Sequence, residues 1–332
     1  MINCGIIGFG KMGKIRAHAI QSSGKARVSA VYDINTVNGF DGLLAKNPSE
    51  IIDSPEIDAV FICTPNVYIP ELCMKALSAG KHVFSEKPPG LNASQVQAVI
   101  AVEQANPGCK LMYGFNHRHH QSIQRMKQIV SAGELGRVLW IRGRYGKEVD
   151  QSFFNGWRAN PALAGAGILI DQGIHMVDLM IHLGGEYDEV SAFVSNLFWK
   201  IPGIEDNVFA IFRDSNTGLC ASLHSTMTQW RHLFSLEVFL EGGALILNGL
   251  KTSSGAYGDE VLAIKRNALH LQDGRFEGEE QITYPIDTSW QCEIDHFFEC
   301  INSSTDVQYG SSADALAVMR LLDKIYAVGK HQ

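Results

Sequence analysis

The sequence lacks the features that mark several large protein classes. No stretch approaches the roughly 20 consecutive apolar residues that a membrane-spanning helix needs. Lysine and arginine number 28 against 35 acidic residues, and the net charge of −7 argues against a nucleic-acid partner. The seven cysteines are scattered and form no C-x-x-C pair, so we expect reduced, buried thiols and no structural metal site. The N-terminal residues show no signal-peptide pattern, and we expect a cytoplasmic protein without a membrane partner.

The remaining composition is typical of a globular protein with about two domains. A chain of 332 residues exceeds the roughly 150 residues of an average domain. Residues 1–118 alternate short apolar runs with amphipathic segments, which predicts a doubly wound parallel sheet of the Rossmann type. Strand-like runs with few helices between them dominate residues 119–332, which predicts an α+β domain with a large, mostly antiparallel open sheet. We therefore predict an α/β protein with domains 1–118 and 119–332.

A glycine-rich turn follows the first predicted strand. Gly8, Gly10 and Gly13 fit the pattern G-x-G-x-x-G, and a predicted helix begins directly after the turn. Gly8 permits the tight turn, Gly10 lets the backbone approach a pyrophosphate, and Gly13 lets the helix pack close to the strand. The helix N-terminus adds unpaired N–H groups and a positive partial charge. The segment predicts a dinucleotide site.

An acidic residue at the end of the second strand indicates which dinucleotide binds. Asp33 lies 20 residues after Gly13 and has no arginine or lysine beside it. Its carboxylate can accept hydrogen bonds from a ribose 2′-hydroxyl and would repel a 2′-phosphate. NAD is therefore favoured over NADP. Only 25 residues separate Asp33 from Asp58, and Asn38–Lys46 can supply just a stub of structure.

Polar residues that suit alcohol oxidation lie further along the chain. Asn66 and Lys87 each follow a predicted parallel strand, and ligands bind at the carboxyl ends of such strands. His175 has the side chain best suited to take a hydroxyl proton near neutral pH, and Asp171 precedes it by one helical turn. Lys87 could stabilise the developing alkoxide. Arg158 could bind a substrate carboxylate or phosphate.

Structural roles for these residues are the alternatives. An Asp–His pair four residues apart also occurs as a helix-surface contact, and a lysine before two prolines can lie in a solvated loop. Arg158 could form an ion pair at the domain surface, and Tyr145 could pack within a strand. The run His117-Arg118-His119-His120 has no acidic or cysteine ligand nearby, which favours a polar domain junction over a metal site.

Taken together, these motifs resemble the glucose-fructose oxidoreductase, inositol dehydrogenase and rhizopine catabolism (Gfo/Idh/MocA) family. The resemblance runs across most of the chain. It is carried by the glycine turn and by Thr64-Pro65-Asn66, Ala79-Gly80-Lys81-His82-Val83, Glu86-Lys87-Pro88, Asn116-His117-Arg118, Trp157-Arg158 and Asp171-x-x-x-His175.

The resemblance implies an NAD(P)-dependent enzyme that acts on a sugar, inositol or related polyol. It also implies homodimers or homotetramers formed through the C-terminal sheet, and it places Asp171 in the substrate site. The predicted cofactor residues are Gly8, Phe9, Gly10, Lys11, Met12, Gly13, Asp33, Thr64, Pro65, Asn66, Glu86, Lys87 and Asn116. The predicted substrate residues are Lys87, Tyr145, Trp157, Arg158, Asp171 and His175, with Lys87, Asp171 and His175 as the catalytic set.

The leading hypothesis is hydride transfer between NAD and a secondary alcohol of a sugar or sugar derivative, a nucleotide sugar among them. Two alternatives stay open. One is a non-catalytic sugar sensor or regulator that binds NAD, although such a protein would not need Lys87, Asp171 and His175. The other is a redox-assisted glycosidase that holds NAD tightly.

Overall fold

The computed structural model describes residues 1–269 and 278–329. Backbone contacts divide the chain into two compact units. Unit 1 contains residues 1–119, 162–165 and 288–320, and unit 2 contains residues 120–161, 166–287 and 321–332. Residues 288–320 thus belong to unit 1, whereas the predicted ranges placed them in the second domain. The ranges 1–118 and 119–332 remain a prediction.

Unit 1 is built on a six-stranded parallel sheet with the order β3-β2-β1-β4-β5-β6. Its strands are β1 (Ile2–Ile7), β2 (Ala26–Tyr32), β3 (Leu43–Leu44), β4 (Ala59–Ile62), β5 (His82–Glu86) and β6 (Leu111–Gly114). The central strands are apolar on both faces, as expected when helices cover both sides of a parallel sheet. The chain order reverses between β1 and β4, which confirms the predicted doubly wound sheet. The two-residue β3 is the expected stub after Asp33.

The helices of unit 1 close the sheet on both faces. They are α1 (Lys11–Ser23), α2 (Pro48–Ile52), α3 (Ile69–Ser78), α4 (Ala93–Ala105) and α8 (Ser289–Ser303). Helix α8 adds Phe297 to the core, where its ring meets Phe61 and Phe84 edge-on at centroid distances of 5.7 and 5.5 Å. A segment from the far end of the chain therefore completes the core beneath the parallel sheet.

Unit 2 contains an eight-stranded sheet with the order β14-β13-β12-β11-β7-β10-β9-β8. Its strands are β7 (Val138–Gly146), β8 (Glu189–Ser195), β9 (Asn207–Arg213), β10 (Cys220–Thr226), β11 (Leu233–Leu240), β12 (Gly243–Asn248), β13 (Glu260–Arg266) and β14 (Glu280–Tyr284). All neighbouring pairs are antiparallel except β7 and β10, which run parallel. This confirms the predicted, mostly antiparallel sheet. Strands β13 and β14 were not predicted from the sequence.

Helices cover one face of this sheet. Helix α5 spans Gln121–Ser131 and α7 spans Ile174–Gly184, with one π-helical turn, Leu169–Gly173, directly before α7. The short helix α6 (Pro161–Ala164) lies mostly in unit 1. The last helix, α9 (Ser312–Gly329), begins in unit 1 and ends in unit 2. Helix α7 packs on β7 at Gly143, where a Cβ atom would come within 2.6 Å of Met176 and Met180. A larger residue at this position would displace the two methionine side chains.

One apolar stretch and the cysteines can be compared with what the sequence predicts. Within the described residues, one stretch, Pro161–Gly184, is long and apolar enough to cross a membrane, but 72% of its most apolar window is buried, as in a core helix. All seven cysteines are unbridged. The expectation that they are buried is wrong for Cys220 and Cys292, which are exposed.

Candidate active site

The glycine turn of unit 1 has a backbone that only glycine can form. Gly8 has a φ of +92°, and a Cβ atom there would lie 2.5 Å from the Cys63 carbonyl oxygen. A Cβ atom on Gly13 would collide with the Gly8 carbonyl, whereas nothing lies within 4 Å of the Cβ position of Gly10. Within the described part of the chain, no side chain caps the first turn of α1. The N–H groups of Lys11, Met12 and Gly13 at this helix start suit a diphosphate.

Asp33 joins the end of β2 to this turn. Its Oδ2 accepts a hydrogen bond from the Phe9 N–H at 2.7 Å, and its Oδ1 accepts from the Asn35 N–H at 2.8 Å. A carboxylate has about four lone-pair sites, so capacity remains for a ribose hydroxyl. The short link after Asp33 brings the ring of Phe40 to 5.6 Å from that of Phe9. Phe40 is not among the predicted cofactor residues.

The ends of β4 and β5 supply the next predicted residues. The Thr64 hydroxyl is buried and has no hydrogen-bond partner among the described residues, as expected of a group that meets a ligand. Pro65 precedes a 3₁₀ turn, and the Asn66 side chain donates to the Ala164 carbonyl at 2.8 Å. Lys87 follows directly after β5. Together with the glycine turn and Asp33, the residues at the ends of β4 and β5 form a set that suits NAD binding.

A buried ion-pair network lies under this part of unit 1. The guanidinium of Arg16, on α1, donates to Glu86 at 2.6 Å and to Glu293, on α8, at 2.5 Å. It also lies over the rings of Phe84 and Trp290, 4.4 and 4.7 Å from their centroids. Burial acts to lower the pKa of Arg16, but the two carboxylates outweigh it and raise that pKa. Glu86, predicted as a cofactor residue, is thus an ion-pair partner; a contact with cofactor stays a prediction.

The polar side chains of residues 116–120, which follow β6, contact different partners in the structure. Asn116 donates to the Ser289 hydroxyl at 3.2 Å, Arg118 pairs with Asp314 at 2.9 Å, and His119 packs against the ring of Tyr309. Across residues 1–269 and 278–329, no group of three His, Cys, Asp or Glu side chains is arranged to hold a metal ion.

In unit 2, the π-helical turn and α7 carry two of the three predicted catalytic residues, Asp171 and His175. The Asp171 carboxylate accepts from the Arg158 Nε at 2.9 Å, and the Lys147 Nζ lies 3.4 Å away. His175 is buried in the first turn of α7, and its ring centroid lies 6.5 Å from that of Tyr145. The single π-helical turn is of the kind that often marks functional sites. The structure therefore gathers Tyr145, Asp171, His175 and Arg158 in one place.

Two tyrosines and a stacked tryptophan complete this cluster. The guanidinium of Arg158 lies over the Trp157 ring, 4.4 Å from its centroid. The Tyr257 hydroxyl donates to the Gln172 side chain at 2.8 Å, and its ring lies 5.4 Å from that of Tyr145. Burial raises the pKa of both tyrosines, and the Asp171 charge adds to the effect, so both remain neutral hydroxyls.

Several residues of this cluster were missed at the sequence level. Lys147 lies directly after β7, Gln172 lies in the π-helical turn and Tyr257 lies in a loop, where no motif marks them. The position of Lys147, two residues after Tyr145, was the one available signal.

Glu205 fixes the start of the π-helical turn. Its carboxylate accepts from the N–H groups of Gly167 at 2.6 Å and Leu169 at 3.0 Å, and from the Tyr326 hydroxyl at 2.9 Å. The side chain is buried, which raises its pKa against the effect of these donors. Donors that would otherwise be unpaired at the helix start are satisfied, so the turn that carries Asp171 is held in one position.

Residues 2–115 match the family model described as "Oxidoreductase family, NAD-binding Rossmann fold", and residues 123–246 match "GFO/IDH/MocA C-terminal domain". The chain is similar to a levoglucosan dehydrogenase of Pseudarthrobacter phenanthrenivorans, with 34% identity over 148 residues, which are 44% of this chain and 37% of that protein. It is also similar to a myo-inositol 2-dehydrogenase of Thermotoga maritima, with 27% identity over 77% of this chain and 78% of that protein.

Among solved structures, a levoglucosan dehydrogenase in complex with NADH has a similar fold. The TM-score is 0.86 at 24% identity, and the match covers 99% of this chain and 97% of that one. At this identity the likeness shows the fold alone.

Proposed function

The chain belongs to the GFO/IDH/MocA family of NAD-binding oxidoreductases, and on that premise we propose that it transfers hydride between NAD and a secondary alcohol of a sugar, inositol or sugar derivative. The proposal rests on the cluster of Tyr145, Asp171 and His175 in a protein whose other unit carries the glycine turn. The names of the relatives, a levoglucosan dehydrogenase and an inositol dehydrogenase, agree with such a substrate. We further propose a cytoplasmic enzyme.

The proposed chemistry assigns one task to each side chain. Bound NAD supplies the hydride acceptor or donor. His175 takes the hydroxyl proton during oxidation and returns it during reduction, because histidine ordinarily titrates near pH 6.5. Asp171, fixed by Arg158 and Lys147, accepts a hydrogen bond from a substrate hydroxyl. Lys87 provides an ammonium group for the developing alkoxide.

Cofactor reduction tests the function directly. The protein is incubated with NAD and a panel of aldoses, inositols and glycosides, and the absorbance of reduced nicotinamide is followed. We expect turnover with at least one compound, and weaker binding of NADP than of NAD because the Asp33 carboxylate repels a 2′-phosphate.

Two results would favour the alternatives. Tight NAD binding without turnover of any compound would favour a sensor or regulator. Cleavage of a glycoside with NAD that survives gel filtration, and with no accumulation of NADH, would favour a redox-assisted glycosidase.

We also propose a homo-oligomer that forms through the open face of the unit 2 sheet. Large apolar side chains are exposed on this face, namely Trp140, Phe193, Phe209 and Ile211. Contiguous exposed apolar surface of this kind marks interaction sites. Ion pairs between Arg142 and Glu237 and between Arg213 and Glu189 lie on the same strands. A second copy of the chain would cover this face.

Sedimentation velocity tests the oligomer. We expect a dimer or tetramer for the wild type and a smaller species for Ile211→Glu, which places a charge in the apolar contact. A monomeric wild type, or an unchanged assembly in the variant, would contradict the proposal.

A further inference from the structure

Four aromatic side chains from three loops of unit 2 form a continuous surface, which we call the aromatic platform: Phe154, Phe198, Trp199 and Trp230. The rings of Phe154 and Trp199 are 5.5 Å apart, those of Phe198 and Trp199 are 5.1 Å apart, and those of Phe198 and Trp230 are 4.8 Å apart. All three pairs meet edge to face or nearly so. This geometry is the one that aromatic rings prefer.

The platform is open to solvent. Phe154, Phe198 and Trp230 are 42%, 57% and 54% exposed. Single exposed apolar side chains are ordinary on protein surfaces, whereas a contiguous group of large rings indicates a binding site.

The loop that carries two of the rings is rigidly built. The buried carboxylate of Asp206 accepts from three consecutive backbone N–H groups, those of Leu197, Phe198 and Trp199, at 2.8, 2.7 and 2.9 Å. The Trp199 indole N–H donates to the Met227 carbonyl at 3.1 Å. Rings held in place before binding lose little entropy when a ligand arrives, which favours affinity.

The backbone of Trp230 is also strained. Its φ is +55°, a left-handed conformation that a bulky residue seldom adopts. Strain of this kind persists where the surrounding structure requires it, and it is concentrated at functional sites.

Backbone and side-chain contacts link the loops of the platform to the residues around Asp171. The Thr226 carbonyl, one residue before Met227, accepts from the Lys147 N–H at 2.8 Å, and the Lys147 Nζ lies 3.4 Å from Asp171. On the Trp230 side, the Cγ of Gln229 lies 2.8 Å from the Cβ position of Gly146, next to Tyr145. The loops that carry Trp199 and Trp230 are therefore joined to the ends of β7 and β10, beside Tyr145 and Lys147.

We propose that the aromatic platform is a second carbohydrate subsite, which binds the next ring of a disaccharide while the reacting ring lies at Asp171 and His175. This proposal rests on the proposed function. The C–H face of a pyranose is apolar and removes aromatic surface from water. Lys200 and Arg231, the exposed chain neighbours of Trp199 and Trp230, carry hydrogen-bond donors of the kind that bind sugar hydroxyl groups, and the Lys200 Nζ also donates to the Asn196 carbonyl at 3.0 Å.

Calorimetric titration without turnover tests the subsite. Cellobiose, maltose and trehalose are compared with methyl β-glucoside on the wild type, on Trp230→Ala and on Phe198→Ala. We expect at least one disaccharide to bind about tenfold more tightly than the methyl glucoside in the wild type. Either platform variant should remove that preference and leave binding of the methyl glucoside unchanged. Ile286→Ala, which removes an exposed apolar side chain outside both the platform and the proposed subunit contact, is the control and should retain the preference.

The results of this titration distinguish a failure of the subsite from a failure of the proposed function. Equal affinities for disaccharides and methyl glucoside, or a preference that survives both platform variants, would overturn the subsite even if NAD reduction is observed. A disaccharide preference that depends on Trp230, without NAD reduction, would support the subsite and refute the dehydrogenase. A change in assembly of Trp230→Ala by sedimentation, with no change in disaccharide affinity, would assign the platform to a subunit contact instead.

Discussion

Replacing His175 with asparagine should lower the rate of NAD-dependent oxidation by about 10²–10⁴-fold, the usual contribution of a general base. Asparagine keeps a polar side chain of moderate size in the buried first turn of α7, but it cannot take a proton near neutral pH. The dissociation constant for NAD should not change, because the variant leaves the glycine turn intact. Steady-state rates with the substrate found in the panel, together with calorimetric titration of NAD, measure both effects.

The pH profile separates a proton-transfer role from a structural one. In the wild type, kcat/KM for oxidation should fall at low pH as the base becomes protonated, and the variant should lose this limb. His224→Asn is the control, because His224 stacks on Phe209 on the open sheet face at a centroid distance of 3.9 Å. Turnover of His175→Asn within about tenfold of the wild type, with the acid limb retained, would exclude His175 as the base.

A double variant tests whether Lys87 acts on the same hydroxyl. Residues that act as a unit have non-additive effects, so Lys87→Met combined with His175→Asn should lose hardly more than the more damaged single variant. Additive losses would indicate that the two side chains contribute independently.

The parts of this protein that the sequence predicted are those in which local chemistry determines structure. The glycine turn could be predicted because Gly8 and Gly13 have positions that no other residue tolerates. The alternation of strands and helices in residues 1–118 predicted the parallel sheet, since each apolar run is long enough for one buried strand. The link after Asp33 is short, so it predicted no more than a stub there, which the structure forms as the two-residue β3.

What could not be predicted depends on contacts between distant segments. Arg16 looks like an ordinary charged residue of α1, and its pairing with Glu293 joins positions 277 residues apart. Lys147 and Arg158 are opposite Asp171 because strand β7 and a loop meet the π-helical turn, and no spacing rule encodes that meeting. The turn itself reads as α-helix in sequence, because a single i→i+5 turn is too short to change the apolar pattern of the helix around it.

Replacing Arg16 with methionine should reduce the free energy of unfolding by about 3–5 kcal/mol, as expected when one partner of a buried ion pair is removed. Glu86 and Glu293 would keep their buried positions and lose their common cation. Methionine matches the length of the arginine stem, and the variant also loses the contacts of the guanidinium with the rings of Phe84 and Trp290. A loss of this size is a large part of the total stability of about 5–15 kcal/mol that is typical of domains. Chemical denaturation followed by tryptophan fluorescence and circular dichroism measures it.

A second ion pair, which also joins the region of α1 to α8, provides the matched control. Lys25, just after α1, pairs with Asp295 of α8 at 3.1 Å, and both side chains are partly exposed. Lys25→Met should change the free energy of unfolding by no more than about 1 kcal/mol, because water screens an exposed pair. Arg16→Met combined with Glu293→Leu should regain part of the stability, since the pair is then replaced by apolar groups. Equal effects of Arg16→Met and Lys25→Met would show that the burial of the network contributes nothing to the stability of unit 1.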